Sequence, residues 1–175
     1  MSGMNNHRKI QMPTLCRLLL SVIGKLLIVP LILWILFSFV YGLCIVKDYC
    51  MSPALHEGDL ALYYRMQNTY TSGDVVAYSF DGHEFLGRIA AVSGDVVLIT
   101  EEGQLVINGY MQVAENAMHT YPTEKSFEYP VIVGENEFFI LCDNREETVD
   151  SRGFGLISID SLEGKIITIL RRRGI

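Results

Sequence analysis

The chain has 175 residues, half of them apolar, with a net charge of −6 that is spread unevenly. The first 46 residues hold four of the fourteen Lys/Arg and none of the twenty Asp/Glu; the rest therefore carries −10. An acidic main body argues against nucleic acid or anionic lipid as its chief partner.

In chain order, Leu26 to Val46 is a charge-free apolar run bracketed by Lys25 and Lys47. It is close to the ~20 residues that span a bilayer as a helix. It exceeds the roughly 7–15 residues of a signal-peptide core, and it lacks an A-x-A cut site, so a retained anchor is expected. Arg8, Lys9, Arg17 and Lys25 precede it, which by the positive-inside rule sets the N-terminus in the cytoplasm. The expected organisation is a cytoplasmic N-terminus (1–25), a transmembrane helix (26–46) and an extracellular domain (47–175), all held in the cell membrane by one pass.

The outer domain reads as mainly β. Leu60–Tyr64, Val75–Phe80, Phe85–Val92, Val96–Thr100, Leu105–Asn108, Phe138–Leu141 and Ile166–Leu170 are short β-prone runs separated by Gly-Asp, Asp-Gly and Asn-Gly turns. Asp81-Gly82 and Asn108-Gly109 are hairpin dipeptides. Close strands joined by tight turns predict antiparallel sheets. Residues 111–132 predict a long loop, and Ser158–Ser161 the start of a short helix. Arg171-Arg172-Arg173 reads as a solvated tail. His56, His83 and His119 are scattered in polar stretches, as surface histidines are. With no C-x-x-C and no close His pair, no metal site and no cofactor are expected.

Three blocks carry the chemistry. The first is Cys50-Met51-Ser52-Pro53-Ala54-Leu55, with Gly58-Asp59 after it. The second is Gly73-Asp74-Val75-Val76, then Gly87-Arg88-Ile89-Ala90-Ala91-Val92-Ser93-Gly94-Asp95. The third runs from Cys142-Asp143-Asn144-Arg145 through Thr148 to Asp150-Ser151-Arg152. In order and spacing they resemble type I signal peptidases, whose pattern is S-M-x-P-T-L, G-D-x-V, K-R-x-x-G-x-P-G-D and G-D-N-R-x-x-S-x-D-S-R. The resemblance covers nearly all of residues 46–170 and implies a signal-peptidase-like antiparallel β domain behind one N-terminal helix.

For activity the resemblance implies a Ser/Lys dyad, in which a buried neutral lysine deprotonates the serine. Carried over residue by residue, Cys50 stands at the serine and Gly87 at the lysine. Ser52 lies two residues away, roughly 6–7 Å along an extended segment, too far to take over. Arg88 cannot act as a base. Asp48 stands on the oxyanion side, where a carboxylate opposes developing negative charge. A missing base costs about 10²–10⁴ in rate. Ala54 replaces a family Thr. Thr148 replaces a Ser that contacts the lysine. No catalytic residue is therefore expected, and Asp143, Arg145, Asp150 and Arg152 are expected to form a structural ion-pair network.

Cys142 replaces a family glycine packed against the lysine. Two readings of it stand: a disulfide to Cys50 across the former site, or two buried free thiols, with Cys142 filling space the lysine left. The chain is similar to the non-catalytic signal-peptidase-like pilus assembly proteins (SipA type) of Gram-positive bacteria, in size, single anchor and missing dyad. That similarity implies an inactive accessory protein whose partners are exported precursor peptides, pilin subunits or the sortase that polymerises them. The alternatives are an active signal peptidase using Cys50 as nucleophile, and a thiol redox protein using Cys50 and Cys142.

Overall fold

The structure is a computed structural model that describes residues 14–112, 119–123, 128–147 and 149–171. The chain divides into two units, Met1–Ser38 and Phe39–Ile175. Helix α1 covers Thr14–Ile35 in the first, and a π-helical turn over Leu36–Val40 spans the boundary. Arg17–Val40 is long and apolar enough to cross a membrane.

These bounds correct the span expected over 26–46. Tyr41–Ile45 is not helical but forms strand β1, in antiparallel register with Leu60–Tyr64 (β2), Tyr41 opposite Tyr64 and Ile45 opposite Leu60. The charge-free run concealed a change of period. Gly42 and Cys44 are buried while Leu43 and Ile45 are exposed, the alternation of a half-buried strand. A Cβ at Gly42 would run into the Tyr63 ring, which would have to shift to admit it.

The remaining strands are β3 (Val75–Phe80), β4 (His83–Ala91), β5 (Val96–Ile99), β6 (Leu105–Ile107), β7 (Tyr110–Met111), β8 (Val131–Ile132), β9 (Glu137–Leu141), β10 (Ile157–Ser158) and β11 (Leu162–Leu170). Helix α2 is the single turn Ser151–Phe154, and Ile159–Ser161 is 3₁₀. Seven strands form one antiparallel sheet in the order β1-β2-β11-β3-β4-β9-β10, and four form a second in the order β7-β6-β5-β8. Asp81-Gly82 and Asn108-Gly109 close the β3–β4 and β6–β7 hairpins, all four residues at positive φ, as a type I′ turn demands.

Strand β11 begins four residues before the expected Ile166, because Glu163, Gly164 and Lys165 look polar but lie along β3, Lys165 pairing with β2 as well. Within the expected loop 111–132, strands occupy 111 and 131–132; residues 113–118 and 124–127 lie outside the described ones. Three apolar clusters fill the domain. The one that matters for the site joins Cys44, Val46, Met51, Leu55, Tyr63 and Leu86.

Candidate functional site

The segment after β1 is a compact turn. Ser52 N donates to Tyr49 O at 3.0 Å and Leu55 N to Met51 O at 2.8 Å. Met51 and Leu55 are buried and plug this turn into the core. That geometry presents Cys50 toward β4 and the end of β9. Asn144 N donates to Cys50 O at 2.8 Å, so the third block is zipped onto the first.

Cys50 and Cys142 are joined by a disulfide, with Cα atoms 4.9 Å apart. Of the two readings left open for these cysteines, this is the arrangement the structure contains. Both are buried, and the Cys50 sulfur lies 3.5 Å from Leu86 O. A sulfur in a disulfide carries no proton and is no thiolate, so it has no nucleophile to offer. Cys44 is a separate, free and buried thiol, which burial, with Glu84 nearby, pushes up to about 11.

Gly87 is buried on β4, paired with Val76. A Cβ there would stand 2.4 Å from Ile140 Cγ2 and 3.3 Å from Tyr78 Cε1. The room a lysine stem would need is therefore occupied by Ile140 of β9. Cys142 is bonded to Cys50, and the side chain nearest the position a family lysine would take is Ile140, two residues earlier. Ile140 carried no sequence signal beyond being apolar in a strand. Gly87→Ala should lower stability by about 1–3 kcal/mol through overpacking, and it should cost less in a chain that already carries Ile140→Ala. Thermal unfolding of the two variants checks this; an unchanged midpoint for Gly87→Ala would show that Ile140 moves aside freely.

Asp48 turns its carboxylate back on the chain. Its Oδ1 accepts the Cys50 backbone N–H at 3.1 Å. An acyl-transfer site would aim such an N–H at the oxyanion, but here it is already satisfied, by a group that repels one. The other hydroxyl beside the site is no base. Tyr78 donates to Val149 O at 3.5 Å, and burial, then Asp150 and Asp48, hold its pKa far above the ordinary tyrosine value.

The four residues expected to form one ion-pair network separate into two pairings and a spare. Asp150 and Arg152 form a fully buried pair: Arg152 Nε donates to Oδ1 at 2.9 Å and Nη2 to Oδ2 at 2.7 Å. Asp150 also accepts the backbone N–H of Cys142 and of Arg152, capping α2. Arg152 Nη1 and Nη2 reach the carbonyls of Arg145 and Glu147. Asp143 instead takes a bidentate fork from Arg88, at 2.7 and 2.6 Å. Arg88 follows Gly87 on the strand and so points to the opposite face, which gives it this structural role. Arg145 donates to Thr120 Oγ1 at 3.2 Å rather than to a carboxylate. Thr148 lies outside the described residues. His56, His83 and His119 are exposed, and among the described residues no group of three or more His, Cys, Asp or Glu is placed to hold a metal.

A β domain carrying this arrangement defines a class. The chain belongs to the signal peptidase family, peptidase S26, whose model matches residues 19–170. It is 28% identical over 156 residues to signal peptidase I of Bacillus licheniformis, covering 80% of this chain and 82% of that protein. It is 25% identical over 167 residues to signal peptidase IB of Staphylococcus aureus, covering 85% and 87%. Among solved structures it resembles a signal peptidase I from Enterococcus faecalis V583, at 23% identity and a TM-score of 0.45, over 58% of this chain and 98% of the other.

Proposed function

We propose that this protein is a membrane-anchored, non-hydrolysing signal-peptidase-like accessory factor that binds exported precursors and assists pilus assembly on the outer membrane face. The observation that carries the loss of hydrolysis is the Cys50–Cys142 bond. It consumes the only side chain at the nucleophile position, beside a Gly87 that has no room for a base.

Binding has its own support. Strand β1 is the edge of the large sheet, and β4 pairs with β9 only from Arg88 onward. Residues 83–87 thus keep a strand edge free of β9. Between them lies a narrow groove lined by Ile45, Asp48, Glu84 and Leu86, with a pocket of about 20 Å³. An extended peptide can add to such edges by backbone pairing. A pocket holding little more than one water admits only a small side chain. Pilin precursors, or the sortase that joins them, are the partners this reading assigns.

Co-expression with a pilin precursor tests it. The precursor should co-purify with the full chain and keep its signal peptide intact, as read by mass spectrometry. Cleavage that is present with wild type and abolished by Cys50→Ala would replace this reading with a cysteine-dependent peptidase.

A further inference from the structure

Strand β11 is paired on both sides only at Lys165. Leu162–Lys165 pairs with β3, with Gly164 opposite Ala77 and Lys165 opposite Val76, and β2 joins only from Lys165 onward. From Ile166 to Leu170 the β2 side remains paired, but β3 has already begun at Val75. The chain before it turns away at Thr71–Asp74, where Asp74 N donates to Thr71 O and Gly73 takes φ +95°. No other described strand takes the place beside Ile166–Leu170. A cleft of about 330 Å³ lies there; Leu55, Val75, Ile166 and Ile169 give it apolar walls, and Arg88 and the Asp74–Lys165 pair also line it. That is the lower range of ligand-binding cavities.

An apolar strand edge left open is normally covered or paired. The edge here is apolar, and Ile167 and Leu170 are more than half exposed. The register shift between Ile166 and Thr168 is a bulge, which bends the strand without closing its outer side.

The two ends of the cleft differ in charge. At one, Lys165 Nζ is neutralised by Asp74 Oδ1 at 2.6 Å. At the other, the exposed Arg171 guanidinium meets a backbone carbonyl, Ala54 O at 3.3 Å. We propose that the open side of β11 takes an extended strand of a partner polypeptide, apolar at alternate positions and carrying a carboxylate near its N-terminal end. Direction follows from the sheet. β3 runs antiparallel to β11, so a strand continuing its line enters at Arg171 and leaves at Lys165. Backbone pairing to β11 supplies register, the cleft takes alternate side chains, and Arg171 forms a charge-assisted bond to the carboxylate. This site is separate from the β1–β4 groove and does not rest on the function proposed for it.

The test uses the full chain in detergent micelles. The probe is a fluorescein-labelled octapeptide of alternating valine and threonine with one aspartate next to its N-terminus. Anisotropy should show saturable binding, and amide exchange at 166–170 should slow. Arg171→Glu, with unchanged far-ultraviolet circular dichroism, should weaken binding roughly tenfold or more and restore it for a peptide with lysine in place of aspartate. A peptide N-methylated at alternate residues should not bind. The proposal is overturned by absence of binding, by equal binding of the methylated peptide, by indifference to Arg171→Glu, or by protection outside 166–170. Protection of 166–170 that rises with chain concentration without peptide would assign the edge to a second copy of this chain instead.

Discussion

Replacing Arg152 with methionine should lower the stability of the β domain by about 3–5 kcal/mol, among the largest effects of any single change in this chain. Arg152 is 1% exposed and Asp150 fully buried, so removing the guanidinium strands a carboxylate where water cannot reach it. The loss extends further, because Arg152 also satisfies the carbonyls of Arg145 and Glu147. Those acceptors shape the third block, which holds Cys142 and Asn144 against the Cys50 turn. A urea titration followed by circular dichroism measures the effect. The double change Asp150→Leu with Arg152→Met should recover part of the loss, since it removes the stranded charge as well. A single-variant loss below about 1 kcal/mol would mean that water enters and solvates Asp150.

Opening the Cys50–Cys142 bond, by Cys142→Ser or by reductant, should cost about 2–5 kcal/mol. The bond links residues 92 apart, and the loop-entropy relation for a link of that span gives roughly 4–5 kcal/mol at 25 °C. The link also joins two segments held by a single described backbone hydrogen bond, Asn144 N to Cys50 O, so its loss frees the nucleophile turn as well. The urea midpoint should fall on adding dithiothreitol to wild type and stay unchanged for the Cys142→Ser chain. Equal midpoints for oxidised and reduced wild type would show that the turn is held by Met51 and Leu55 alone. Reduction should not bring peptidase activity with it: the freed thiol would face Asp48, an occupied N–H and no base.

Much of the fold was legible because its signals are local. Asp81-Gly82 and Asn108-Gly109 require positive φ, and only certain residues supply it cheaply, so both hairpins were readable from dipeptides. Strand β1 was not, since Tyr41–Ile45 is as apolar as the helix before it; only its pairing with Leu60–Tyr64 separates the two. The turn α2 was hidden for a different reason: it is four residues long and exists through the Asp150 cap. At the site, substitutions at Cys50, Gly87 and Asp48 could be read against the family pattern position by position. The partners those positions acquired could not. That Arg88 pairs with Asp143, and that Ile140 lies against Gly87, are facts of register between strands far apart in the chain.

The Gly87–Ile140 contact has a consequence for how this protein could change. Restoring lysine at 87 alone drives a side chain into Ile140 and overpacks the core. Shrinking Ile140 first opens a cavity, which for loss of an isoleucine side chain costs about 2–5 kcal/mol. Each order of substitution thus passes through a destabilised intermediate, and a natural domain has little margin for one. A lysine at 87 is thus reached only across a stability valley, whichever step comes first, so core packing holds the glycine there as a ratchet holds a wheel.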